Sequence, residues 1–192
     1  MTKTNKKLRS FVTIAMLSSI SFILMLFNFP LPWFPAFLQI DFSDVPALIA
    51  AITMGPVAGI LVELMKNILD WIFSGSPTGM PVGHMANFAT GILFILPVYY
   101  IYKKLPSAKG LFFGLIVGSL IMSVGMAFLN YIAFLPMYGY FMNFHVENMS
   151  EMAVKAILPF NLLKGVMLIV IVTVLFRTMN KWIQNQRLQY LS

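Results

Sequence analysis

The sequence predicts an all-α integral membrane protein, a compact six-transmembrane-helix bundle with both termini cytoplasmic and an ordered extracellular first loop. Hydrophobic residues fill 59% of the 192 positions and charged residues only 10%, far from the soluble-domain norm. The apolar residues form runs long enough to cross a hydrocarbon core of about 30 Å. Most Lys and Arg lie in short segments beside those runs, where they orient a chain across a bilayer. No stretch after the first helix is long and polar enough to fold as a soluble domain, so residues 1–192 read as a single transmembrane domain.

The first run, about Phe11 to Phe29, follows Lys3, Lys6, Lys7 and Arg9. A charged start before an apolar stretch also marks signal peptides, but no small-residue cleavage site follows, so the run is read as helix 1. Pro30, Pro32 and Pro35, with Trp33 and Phe34, then suit a membrane-surface loop reaching about Ser43. Its Phe37, Leu38, Ile40 and Phe42 are too apolar for a solvated connector and predict a lid folded back on the bundle. Trp33 equally suits interfacial anchoring.

From Asp44 to Phe73 the chain is helix-compatible except at Gly55-Pro56. About 30 residues at 1.5 Å each reach roughly 45 Å, too long for one ordinary span and too short for two full ones. Charge decides. Lys103, Lys104 and Lys109 surround the Leu105-Pro106 loop, whereas residues 74–82 carry no Lys or Arg. A cytoplasmic lysine loop and a cytoplasmic amino terminus require an even number of crossings before Lys103, hence a turn at Gly55-Pro56 between helices 2 and 3.

The remaining spans are about Val82 to Tyr102, Gly110 to Leu135 and Met152 to Met179. Arg177, Lys181 and Arg187 place the carboxyl terminus inside, while Asp41, Asp44, Glu147 and Glu151 mark the outer connections. No internal repeat is evident at the motif level, which argues against an inverted-repeat transporter.

Polar groups inside these spans are expensive and mark function by default. Glu63, Lys66, Asn67 and Asp70 are related by three, four and seven, so they share one face of helix 3. They serve either to neutralise one another and glue helices or to meet a ligand. Asn87, Asn130, Asn161 and Lys164 fall in the outer halves of helices 4, 5 and 6. Asn161 and Lys164, three apart, reach one side of helix 6, where Lys164 lies too deep to snorkel cheaply. Lys164 pairs with Glu63 or Asp70, or faces a ligand. Convergence of these groups would outline a pocket for a polar, uncharged small molecule.

Several chemistries are excluded. The absence of Cys removes disulfides, thiolates and most soft-metal sites, leaving His84 and His145 as imidazoles, read as solvated or structural at the outer interface, so no metal centre is expected. The net charge of +7 is accounted for by membrane orientation and does not indicate nucleic acid. Neither a phosphate-binding Gly-rich loop nor a hydrolase or metalloprotease motif is present, so no enzymatic activity is expected. A pocketed bundle without an engine suggests a binding subunit of an energised partner.

The segments Lys66-Asn67-Ile68-Leu69 and Phe160-Asn161-Leu162-Leu163-Lys164-Gly165, within this length and layout, resemble the riboflavin-specific substrate-binding S component of energy-coupling factor (ECF) vitamin transporters. The resemblance covers essentially the whole chain. It implies a multi-pass protein of the prokaryotic plasma membrane that captures riboflavin as transported ligand, with no cofactor, and passes it on by docking with a transmembrane coupling subunit driven by two ATPase subunits. It implies further that the protein topples in the bilayer to turn its site inward, and that Ala15 and Ser19 occupy the small-residue contact with the coupling subunit. Ser19 stands where the family pattern has Ala. The expected ligand contacts are Asn161, Lys164, Asn130, Asn87, Asn67, Glu63, Leu38, Ile40 and Phe42: aromatic and apolar walls for the flat ring, amides and an ammonium for the ribityl hydroxyls. No arginine pair lies within the bundle, so riboflavin should bind better than its phosphate ester. The alternatives are an S component for another small vitamin and a membrane-embedded lipid-modifying enzyme using Glu63 and Asp70.

Overall fold

The computed structural model describes residues 3–76, 79–142 and 148–191, and His145 and Glu147 lie outside the described residues. Helix α1, Lys3–Leu26, is turned inside out by soluble standards. Phe11, Met16 and Ile23 are exposed, while Ser18 and Ser21 are buried. Lipid is as apolar as the side chains it meets, so small hydroxyl residues are left to pack against the bundle.

Asn28 Nδ2 donates to Met25 O at 2.9 Å as α1 ends, ahead of Pro30. The following connection folds into a two-residue antiparallel ladder, β1 Phe29–Pro30 with β2 Gln39–Ile40, pairing Phe29 with Ile40 and Pro30 with Gln39. Its far limb turns inward: Ile40 is completely buried, whereas Trp33 at the tip is 97% exposed with a φ of 70°.

Helix α2, Asp44–Met54, has only 11 residues. At 1.5 Å per residue it spans about 16 Å, roughly half a hydrocarbon core. The expected break at Gly55-Pro56 is present: Gly55 takes a φ of 104° and Pro56 opens α3, Pro56–Ser74. Small residues let α2 and α3 close on each other, since a Cβ at Gly59 would come 2.8 Å from Ala51 Cβ. Glu63, Lys66, Asn67 and Asp70 are buried together on one face of α3, as their spacing predicts.

Helix α4, Val82–Lys104, packs along α5, Ala108–Leu129, where a Cβ at Gly118 would lie 2.8 Å from Phe94 O. The fifth rod continues through a π-helical turn, Asn130–Phe134, into α6, Leu135–Met142. The last rod starts with α7, Met149–Met152, passes a second π-turn, Ala153–Ile157, and runs on as α8, Leu158–Leu191. The described residues therefore form six helical rods. Lys7–Leu26, Val82–Lys104, Ala108–Phe141 and Met149–Tyr190 are long and apolar enough to cross a membrane, whereas the ionisable residues of α3 keep it out of that set.

Three boundaries differ from expectation. α1 begins eight residues early, the fifth rod passes Leu135, and the last outruns Met179 by 12 residues. Apolar runs mark hydrocarbon, not the ends of the helical backbone, and the fifth rod runs on even through Pro136 and Gly139. The α8 extension is also held: Tyr190 OH lies 2.9 Å from Thr13 Oγ1, and Gln184 Nε2 donates to Tyr102 OH at 2.8 Å.

Candidate functional site

Where the inward limb of the loop meets α3, α4, α5, α6 and α8, a cavity of about 550 Å³ remains. That volume suits a drug-sized ligand. Phe37, Leu38, Met126, Tyr138 and Phe160 give it apolar and aromatic walls; Asp41, Asn87, Asn130, Asn161 and Lys164 give it a polar end. Two ring pairs lock the loop onto the last rods: Phe37 with Tyr138, centroids 5.1 Å apart, and Phe34 with Phe160 at 5.4 Å.

The polar end is anchored in a buried ionic network. Lys66 Nζ donates to Asp44 Oδ1 at 2.6 Å and to Ser43 Oγ at 2.7 Å, and forms an ion pair with Glu63 Oε2 at 2.8 Å. Lys164 Nζ donates to Asp41 Oδ2 at 3.2 Å, forms an ion pair with Asp44 Oδ2 at 3.1 Å and lines the cavity. Asp41 also accepts from Asn87 Nδ2 at 3.2 Å and from the Ser43 amide at 3.0 Å and hydroxyl. Burial pushes the Asp41 carboxyl up, but the Lys164 and Lys66 ammoniums and the two Ser43 donors outweigh it and hold it well below the usual carboxylate range. Nearer the α3–α4 connection, Asp70 pairs with His84 Nε2 at 3.0 Å and accepts from Ser74 Oγ at 2.7 Å.

Asn130 and Asn161 are prepared differently. Each donates one amide hydrogen to the carbonyl four residues back, Met126 O at 2.8 Å and Ile157 O at 2.9 Å. The rest of each amide stays available to the cavity. Asn130 opens one π-turn and Ile157 closes the other, and the two turns pack against each other. Such insertions recur beside functional sites because they re-aim side chains.

Of the nine residues expected to contact a ligand, Leu38, Asn87, Asn130, Asn161 and Lys164 line this cavity. Glu63, Asn67, Ile40 and Phe42 are not among its lining. Asn67 stands behind the wall, donating to Asn87 Oδ1 at 3.3 Å, and Glu63 is held by Lys66. Ile40 and Phe42 pack in an apolar cluster with Leu135, Ile157 and Phe160. Of the two readings of Lys164, pairing with Glu63 or Asp70 does not form: it lines the cavity and pairs with Asp41 and Asp44, which the loop brings within reach.

Asp41 and Asp44, read from sequence as outer-connection charges, are buried counter-ions. Of the two readings of His84, solvated or structural, the structural one holds: it is buried at the cavity edge against Asp70. Two lysines inside apolar spans require carboxylates nearby, and the Asp41-x-x-Asp44 pair was the available signal. Ala15 and Ser19 lie exposed on the outer face of α1, Ser19 Oγ donating to Ala15 O at 3.0 Å. Among the described residues no three His, Asp or Glu side chains are grouped to hold a metal ion.

Comparison with known proteins places these features in context. A family model described as "ECF transporter, substrate-specific component" matches residues 9–176. The chain is 48% identical over 186 residues to the riboflavin transporter FmnP of Bacillus subtilis (strain 168), covering 94% of this chain and 97% of that protein. It is 42% identical over 183 residues to the riboflavin transporter RibU of Staphylococcus aureus (strain TCH60), covering 94% of each. A solved structure reported under "Structure and mechanism of the S component of a bacterial ECF transporter" superposes with a TM-score of 0.80 at 41% identity, covering 92% of this chain and 98% of that one.

Proposed function

The chain belongs to the family of ECF transporter substrate-specific components, and from that membership we propose that it captures riboflavin for ATP-driven uptake through partner subunits. The observation that carries the proposal is the two-sided cavity, with aromatic and apolar walls at Phe37, Leu38, Tyr138 and Phe160 and amides at Asn87, Asn130 and Asn161. A flat tricyclic ring with a polyhydroxyl tail needs both halves. The relatives named as riboflavin transporters support the same ligand.

In this reading the isoalloxazine lies between loop and last rods, and the ribityl hydroxyls meet Asn161, Asn130 and Lys164. Glu63, Asn67, Ile40 and Phe42 brace the wall. The protein spans the prokaryotic plasma membrane several times, with the loop end outside and both termini in the cytoplasm. Its partners are a transmembrane coupling subunit and two ATPases, the coupling subunit meeting the α1 face around Ala15 and Ser19.

The test is direct. Protein purified in mild detergent should carry or take up riboflavin with a visible flavin spectrum, and titration should saturate at one equivalent per chain. Failure to bind riboflavin, with the protein folded, would refute the proposal.

A further inference from the structure

We propose that Asp41 is a positioning residue that sets ligand specificity: by pairing with Lys164 it stops that ammonium from acting as an anion receptor and turns the polar end against phosphorylated ligands. The inference rests on the riboflavin reading, in which the ribityl end lies toward Lys164.

A lysine at the edge of a cavity ordinarily invites a phosphate or carboxylate. Here the invitation is withdrawn. Lys164 Nζ is bridged by Asp41 Oδ2 at 3.2 Å and Asp44 Oδ2 at 3.1 Å, with both side chains buried. Asp41 itself has little to offer a ligand as a hydrogen-bond acceptor. Its Oδ1 takes both donors of Ser43, and its Oδ2 takes Lys164 and Asn87, which fills the acceptor sites of a carboxylate. Its influence on a ligand therefore passes through its charge and through the two side chains that it orients.

The surrounding charges reinforce the effect. Asp44 accompanies Asp41 around Lys66 and Lys164, so each ammonium already has a buried carboxylate beside it. Asp70 lines the same cavity beside His84, and no arginine is among the cavity-lining residues described. A phosphate monoester would bring a further charge of about −1.5 to −2 into this field. A hydroxyl needs only a Lys164 N–H not given to Asp41 and the open amide atoms of Asn130 and Asn161. The geometry thus favours an uncharged polyol on electrostatic grounds that the ring-binding walls do not contribute to.

Replacing Asp41 by Asn retains the shape and leaves Asp44 beside both ammoniums and Glu63 beside Lys66, so neither lysine loses its last carboxyl partner. The experiment titrates the purified full-length protein with riboflavin and with its phosphate ester and reads the ratio of the two Kd values. Loss of packing alone would weaken both ligands together and leave that ratio in place.

Asp41→Asn should shift the ratio toward the phosphate ester by about tenfold, the scale of one unit charge removed from a partly desolvated site. Lys164→Gln, the second variant should Asp41→Asn fail to fold, should move it the other way, because Asp41 then stands uncompensated. Asp41→Glu should restore the unsubstituted ratio. A ratio unchanged in Asp41→Asn, or in Lys164→Gln, overturns the inference while leaving tight riboflavin binding intact. Absence of riboflavin binding by the unsubstituted protein would overturn the vitamin-capture reading and this inference with it.

Discussion

Gly91 of α4 lies so close against Glu63 of α3 that a Cβ on the glycine would fall within the glutamate carboxyl. The two helices meet at a buried acid because one of them has no side chain there. Glu63 is in turn fixed from its other side by Lys66 at 2.8 Å.

Gly91→Ala should accordingly lower stability by about 1–3 kcal/mol, the usual cost of forcing a methyl into filled space. Thermal unfolding in detergent measures it. An unchanged Tm would mean that the carboxyl swings aside without disturbing Lys66.

Lys66→Met should cost more, about 3–5 kcal/mol, because removing one member of a buried ion pair leaves the other uncompensated. Asp44 and Glu63 are the carboxylates so exposed, both fully buried. Lys66 lies outside the cavity lining, so chemical denaturation should register the loss while the folded fraction still binds riboflavin.

Asn161→Ala should weaken riboflavin binding more than tenfold, about 1.4 kcal/mol, with little change in Tm. The intrahelical bond to Ile157 O is the only protein hydrogen bond it forfeits among the described residues. Quenching of flavin fluorescence on titration reads the affinity, and equal affinity in the folded variant would reassign Asn161 to helix packing.

The two limbs of the loop should respond oppositely. Trp33 holds a left-handed backbone at φ 70° with its side chain exposed, so Trp33→Gly should leave stability unchanged or raise it by up to about 1 kcal/mol. Leu38→Ala, in the packed limb beside Ile40, Leu135 and Phe160, should lower stability by about 2–5 kcal/mol. Unfolding curves for the two variants that coincide would contradict this division.

Much of this architecture was legible before any coordinate. Apolar runs locate spans because lipid rewards continuity, and Gly55-Pro56 announces a break through backbone chemistry alone. The common face of Glu63, Lys66, Asn67 and Asp70 follows from helical periodicity, and five of the expected ligand residues meet at one cavity. The ion-pair partners were not legible. Asp41 and Lys164 are 123 positions apart, and nothing local in either segment specifies the other. Nor does hydropathy report how far a helix continues past the hydrocarbon, or where a π-turn will re-aim an asparagine. Tertiary approach decides those features, and a single sequence records it only indirectly.

The separation between the members of the ionic network has a bearing on biogenesis. Lys66 follows Asp44 by 22 positions, so that pair can form as soon as one helical hairpin enters the bilayer. Asp41 must wait for Lys164, and a nascent chain therefore carries a poorly compensated carboxylate through the insertion of several further helices. The clasp of Tyr190 on Thr13 comes later still, joining the first rod to the last only once residue 190 has been translated. A ribosome stalled before the final helix would hold a bundle whose ligand chamber lacks both its charge balance and one of its walls.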